Sequence, residues 1–293
     1  MLKKFTVYGN CQSTVLAACL QQVEDFKNTY EYHRIPFCHR ITSDEYNKLA
    51  LDLKDIDLLI TQPVSSQFRG GGFQSAHLSQ LAKSSIGFPS LQFYGYFPSL
   101  SRFKVPKLSL NKSKELNRVL SPYAPLKRDS LYHYNEIRLM HLQKYPTALM
   151  CQKFDEVSSE DNTFDICLQR TLNHLKQKEL EFNLVPMSDY IQDNWQIRHL
   201  FYTPRHPSGY IMAELVKRIC IQLKLKVREE ELSKIRFKDH FSEIKLYIPA
   251  WIRRKYLSGI LGMSDENLFS MTAADTISLY SHLYRLMPSV LEA

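Results

Sequence analysis

Lys3-Lys4-Phe5-Thr6-Val7-Tyr8-Gly9-Asn10-Cys11-Gln12-Ser13-Thr14-Val15-Leu16-Ala17-Ala18-Cys19-Leu20 is the stretch that decides the fold. Lys3 to Tyr8 reads as a short strand, and from Gln12 to about Phe26 the apolar positions Val15, Leu16, Cys19, Leu20 and Val23 recur at helical spacing. A strand that passes straight into a helix is the opening of an α/β unit.

The alternation continues outward. Tyr30 to Cys38 reads as a second strand, Ser43 caps a helix through Leu51, and Ile56-Asp57-Leu58-Leu59-Ile60 is an apolar run typical of a buried strand. Beyond Gly70-Gly71-Gly72, Gln74 to Lys83 reads as a helix and Ser90 to Tyr94 as a further strand. The expected fold class is therefore α/β, a mostly parallel sheet flanked by helices, with an N-terminal core over residues 1–103. Residues 104–190 carry helix-length patterns broken by Pro106, Pro122, Pro125 and Pro146 and form a mostly helical insertion. Gln196 to Tyr202 reads as one more strand and Tyr210 to Leu225 as an apolar-striped helix, so residues 191–226 complete the core. Residues 227–293 are a helical C-terminal region with breaks at Pro249 and Gly262.

Composition narrows the function classes. The 293 residues are 44% hydrophobic and 23% charged, with a net charge of +8, enough for a real core and unlike a disordered tail. No run approaches the roughly 18 to 20 apolar residues of a membrane span, and no apolar export signal follows Met1, so a cytoplasmic protein is expected. The cations are interspersed with acids and no nucleic-acid motif occurs, which speaks against a nucleic-acid partner. Six cysteines without a Cys-x-x-Cys pair or zinc spacing predict free thiols and no metal centre.

Four short segments are candidates for chemistry. Gly9-Asn10-Cys11-Gln12 lies where a strand ends and a helix begins, the edge at which open parallel sheets bind ligands. A thiol there faces unpaired N–H groups and the positive end of the helix dipole, which favour thiolate, while Asn10 and Gln12 offer amide donors. A small buried residue in a tight turn is the alternative reading of Cys11. Arg205-His206-Pro207-Ser208-Gly209 is a second strand-to-helix loop. If it shares the edge, His206 is a base toward the thiol or a hydroxyl. Gln62 ends the buried strand, and Arg69 beside Gly70 suits an anionic group that needs close backbone approach; a plain surface loop is the alternative. Phe93-Tyr94-Gly95-Tyr96-Phe97-Pro98 brings Tyr94 and Tyr96 as walls of an acyl, adenine or sugar pocket, or as core.

Gly9-Asn10-Cys11-Gln12, Gln62 with Arg69-Gly70, Phe88-Pro89 with Phe93 to Pro98, and His206-Pro207 together resemble the WcbI-type family of polysaccharide-biosynthesis proteins, over roughly residues 3–225. The resemblance implies a cradle-shaped α/β fold with a coenzyme A pocket and an acetyltransferase acting on capsular or other surface sugars. It makes Cys11 and His206 the active-site pair, and Gln12, Gln62 and Arg69 pocket residues. Asn10, Gly70, Tyr94, Tyr96, Arg205 and Ser208 complete the expected cofactor contacts. The loops also resemble those of SGNH hydrolases, but Cys11 replaces their serine and Thr203 stands where their acid precedes the histidine.

The function expected is acyl transfer from acetyl-coenzyme A to a sugar hydroxyl, with other polysaccharide-biosynthesis enzymes as expected partners. The alternative is a cysteine-dependent esterase or deacylase.

Overall fold

The computed structural model describes residues 2–104, 108–120, 130–156, 162–238, 240–241, 245–257 and 271–292. Pro106, Pro122, Pro125 and Gly262 lie outside them. The chain divides into two units. The first comprises Met1–Gln92, Leu172–Asp193 and His206–His240, and the second Phe93–Thr171, Asn194–Arg205 and Phe241–Ala293.

The N-terminal part of the first unit runs β1 (Lys3–Tyr8), α1 (Cys11–Leu20), α2 (Glu24–Thr29), β2 (Tyr30–Tyr32), α3 (Ser43–Asp52), β3 (Leu58–Thr61), α4 (Ser75–Leu81) and β4 (Ser85–Gly87). All pairings in the sheet are parallel and its order is β2-β1-β3-β4. Phe5 to Tyr8 and Leu58 to Thr61 are buried without alternation, as central parallel strands covered on both faces must be. Thr42 and Glu45 close a capping box on α3, one residue ahead of the Ser43 cap read from sequence.

The second unit opens with β5 (Leu100–Lys104), α5 (Leu110–Leu120), β6 (Ser130–Tyr134), α6 (Asn135–Leu142) and α7 (Thr147–Asp155). Next in chain order come α8 (Thr163–Glu181) and α9 (Ser188–Asn194), then β7 (Phe201–Thr203) of the second unit, and β8 (His206–Pro207), α10 (Gly209–Gln222) and α11 (Glu229–Arg236) of the first. The C-terminal helices, all in the second unit, are α12 (Ala250–Tyr256), α13 (Ala273–Leu286) and α14 (Ser289–Glu292). Among the described residues no helix is long and apolar enough to cross a membrane.

Several elements differ from the sequence reading: the second strand ends at Tyr32 rather than Cys38, and the helix read from Gln12 to Phe26 is two, α1 and α2. The fourth strand is Ser85–Gly87, not Ser90 to Tyr94, because Pro89 has no N–H and the Leu91 amide is bound by a side chain. The 104–190 region is not purely helical: β5 and β6 pair antiparallel from Leu100↔Tyr134 to Lys104↔Ser130. The late strand is only Phe201–Thr203 and is no member of the four-stranded sheet. The outer edge of β4 is instead met by Leu184, bridged in parallel to Gly87, with Val185 N–H donating to the Gly87 carbonyl at 2.8 Å. A methyl group on Gly87 would lie 2.6 Å from Leu184 Cδ2, so the glycine is what lets this segment approach.

Candidate active site

The carboxyl edge of the sheet is built around two buried amides. Gln62 follows β3, and Gly9 is small because Gln62 passes beneath it: a Cβ there would stand 2.6 Å from Gln62 Oε1 and 3.0 Å from its Cδ. Gln62 Oε1 accepts the Asn10 N–H at 2.9 Å, and its Nε2 donates to Gln12 Oε1 at 3.0 Å and to the Pro89 carbonyl at 3.4 Å. Gln12 Oε1 also accepts the Leu91 N–H at 3.0 Å, while its Nε2 donates to the Leu91 carbonyl at 2.8 Å. Both side chains are buried, and the loops after β1, β3 and β4 are thereby tied together. Asn10 caps α1 by accepting the Gln12 N–H at 2.8 Å and donates Nδ2 to Ser90 Oγ at 3.2 Å. The result is a fixed seat for Cys11, the first residue of α1 and half-buried.

The turn after β2 closes on the same place. Cys38 N–H donates to the Gly9 carbonyl at 2.8 Å, and the Phe37 carbonyl accepts from Arg40 and Ile41 N–H at 2.8 and 2.9 Å. Phe37 and His39 rings stack at 5.4 Å and 11°, and the Arg40 guanidinium lies 5.8 Å from the Phe37 ring centre. Arg69 reaches this turn: Nη1 donates to the Ile41 carbonyl at 2.5 Å and to that of Cys38 at 3.4 Å, and the guanidinium sits 4.7 Å from the Phe73 ring. Arg69 and Gly70, Gly71 and Gly72 all have positive φ, which is why three glycines follow the arginine. Burial pushes the Cys38 thiol up to about 11; the His39 N–H opposes this, Cys11 adds to it and Arg69 subtracts. Burial likewise pushes up the thiols of Cys19 and Cys220, each to about 12, and those of Cys151 and Cys167.

His206 also belongs to the first unit, in β8, two residues before Ser208, the N-cap residue of α10. Helix α10 packs against α1, so the helices that follow His206 and begin at Cys11 are neighbours. Ser208 is fully buried, and its hydroxyl has no hydrogen-bond partner among the described residues.

Tyr94, Tyr96 and Arg205 belong to the second unit. Tyr96 proves to be a core residue there: it has no exposure, its hydroxyl is shared between the carbonyls of Trp195 and Arg198 at 2.7 Å each, and it accepts the Leu200 N–H at 3.3 Å. Tyr94 is half-buried, its carbonyl 3.6 Å from Cys167 Sγ, and Arg205 N–H donates to Thr203 Oγ1 at 3.3 Å. Phe37, His39 and Arg40 were not among the sequence candidates. The run from His33 to Arg40, with two arginines, two histidines and no acid, was the available signal.

The polysaccharide biosynthesis enzyme WcbI family matches residues 4–228 of the chain. No curated protein matches it. A solved structure of WcbI, described as a novel polysaccharide biosynthesis enzyme, is similar with a TM-score of 0.71 and 19% identity, covering 100% of this chain and 99% of that one. That structure is the native protein without a disulfide bond between coenzyme A and one of its cysteines. Likeness at this identity supports the α/β architecture, and the match over most of the chain settles kinship: the protein belongs to the WcbI family of polysaccharide biosynthesis enzymes.

Proposed function

We propose that this protein transfers an acyl group, acetyl in the simplest case, from coenzyme A to a sugar hydroxyl during polysaccharide biosynthesis, with Cys11 and His206 as its catalytic residues. The observation that carries the reading is the seat of Cys11: a half-buried thiol at the first position of α1, beyond β1, held by the Asn10, Gln12 and Gln62 amides. Coenzyme A suits this place because a thioester carbonyl beside Cys11 lies at the positive end of a helix dipole, which favours a developing oxyanion. The unpartnered Ser208 hydroxyl near His206 is a further polar group for a ligand. The cysteine named with coenzyme A in the solved WcbI structure points to the same class of ligand.

Two routes use the same residues. In the direct route His206 takes the proton of the acceptor hydroxyl, whose oxygen attacks the thioester carbonyl, and coenzyme A leaves as its thiol. In the covalent route Cys11 Sγ attacks first and carries the acyl group until the acceptor displaces it. Gln12 and Gln62 act here as positioning residues, since their amides are committed to one another and to the backbone.

The test is acceptor-dependent release of coenzyme A from acetyl-coenzyme A across a panel of mono- and oligosaccharides. His206→Ala is expected to lower kcat/KM by about 10²- to 10⁴-fold. Cys11→Ser with unimpaired transfer would select the direct route. Hydrolysis of a simple acetyl ester at a rate indifferent to coenzyme A, with no transfer to any sugar, would replace the proposal by an esterase.

A further inference from the structure

Among the described phenylalanines only Phe182 and Phe237 are exposed, and the Lys178 ammonium lies over Phe182, 5.0 Å from its ring centre. Phe237, at 73% exposure, meets the Tyr210 ring, with centroids 6.2 Å apart and planes at 74°. An edge-on pair of this kind leaves most of the phenylalanine ring in water. The backbone holds it there. Phe237 is the C-cap residue of α11, its N–H donating to the Ser233 carbonyl at 3.0 Å, and Arg236 is paired with Glu229 at 2.7 Å. A Cβ on Gly209 would stand 2.6 Å from the Ile235 carbonyl oxygen and would meet that of Arg236 as well, so only glycine at the start of α10 lets the end of α11 come this close. Phe237 is thereby brought to Tyr210, in the first turn of α10 and four residues after His206. All these residues belong to the first unit, where α10 packs against α1, the helix that Cys11 opens.

The face of an aromatic ring is negative and attracts polarised C–H groups; a pyranose presents a face of such groups while its hydroxyls point outward, open to a base. We infer that Phe237 and Tyr210 form the acceptor subsite: a pyranose of the acceptor glycan lies with its C–H face on Phe237, braced by Tyr210, and turns one hydroxyl toward His206. The inference rests on the acyl-transfer reading above and adds which residues hold the acceptor; Phe237 binds the sugar and takes no part in bond making.

Acceptor kinetics of the full chain test it, with the sugar that the transfer panel identifies. Phe237→Ala is expected to raise the KM for that sugar about five- to tenfold, the order of one aromatic contact, with kcat and the KM for acetyl-coenzyme A nearly unchanged. Phe237→Trp should restore the KM. In saturation-transfer NMR the protons of the sugar's C–H face should receive the strongest signal from the wild type and lose it with Phe237→Ala. Phe237 is exposed, so an unchanged thermal midpoint will show that the variants are folded. A wild-type acceptor KM in Phe237→Ala refutes the subsite while the acyl-transfer reading stands, and a change confined to the KM for acetyl-coenzyme A refutes it too, assigning the ring to the donor. If light scattering finds the wild type dimeric and Phe237→Ala monomeric with its acceptor KM intact, the aromatic pair is a contact between two copies and the inference is wrong. Wild-type protein that transfers to no sugar overturns that reading and the subsite with it.

Discussion

Gly9 and Gln62 depend on each other, one by having no side chain and the other by filling the space this leaves. Gly9→Ala must displace Gln62 and is expected to cost about 1–3 kcal/mol in urea unfolding. Gln62→Leu keeps the volume but strands the Asn10 N–H and one lone pair of Gln12, a loss of about 2–3 kcal/mol. Thiol labelling offers a second check at this scale. Buried Cys19, Cys38 and Cys220, all with raised thiols, should resist iodoacetamide until the protein unfolds, while half-buried Cys11 labels in the native state and coenzyme A protects it. Cys11, Gln12 and Gln62 were legible as residues at the carboxyl edge of the sheet because each follows a strand or opens a helix. The inward turn of the two glutamines was not, since their partners, Pro89 and Leu91, lie 27 to 79 positions away. Tyr96 misleads for a related reason: an aromatic run looks the same whether its rings wall a pocket or fill a core.

Elements buried on both faces announce themselves by unbroken apolar runs, and β1 and β3 were readable for that reason. Strand β4 is three residues with one large apolar side chain, and the partners β5 and β6 are separated by a long connection, so local pattern carried neither. Helix caps supplied from a distance are equally silent in sequence. Glu179 of α8 accepts from Met187 N–H at 2.6 Å, Ser188 N–H at 2.9 Å and the Ser188 hydroxyl at 2.5 Å, at the start of α9. Glu179→Ala leaves these donors without their acceptor and should cost about 2–4 kcal/mol, with amide exchange at Met187 and Ser188 accelerated before global unfolding. Glu179→Gln, which keeps one acceptor oxygen, should recover part of the loss.

For the whole molecule, each unit has its own buried interior, and acid should act first on the second one. His133 is buried there with Nδ1 3.0 Å from the Tyr284 hydroxyl, and burial, aided by the Arg138 charge, lowers its pKa to about 4. His141, whose ring lies 5.2 Å from the same tyrosine, is lowered too, by burial and then Arg285. A histidine depressed in the folded state binds protons better when unfolded. Its stabilising contribution is therefore complete above the unfolded value near 6.5 and drains away as pH falls toward 4, by about 2–3 kcal/mol for His133. Both tryptophans, Trp195 and Trp251, lie in this unit and report it by fluorescence. His133→Gln should flatten the pH dependence of the midpoint between 6.5 and 4. The late arrival of Leu184 at the rim of β4 has a consequence for biogenesis. While the ribosome has delivered only the first hundred or so residues, the four strands exist but one flank keeps its backbone groups bare, a template for pairing with a neighbouring nascent chain. Truncations ending before that leucine should accumulate as aggregates, and those that include it and the helix behind it should not.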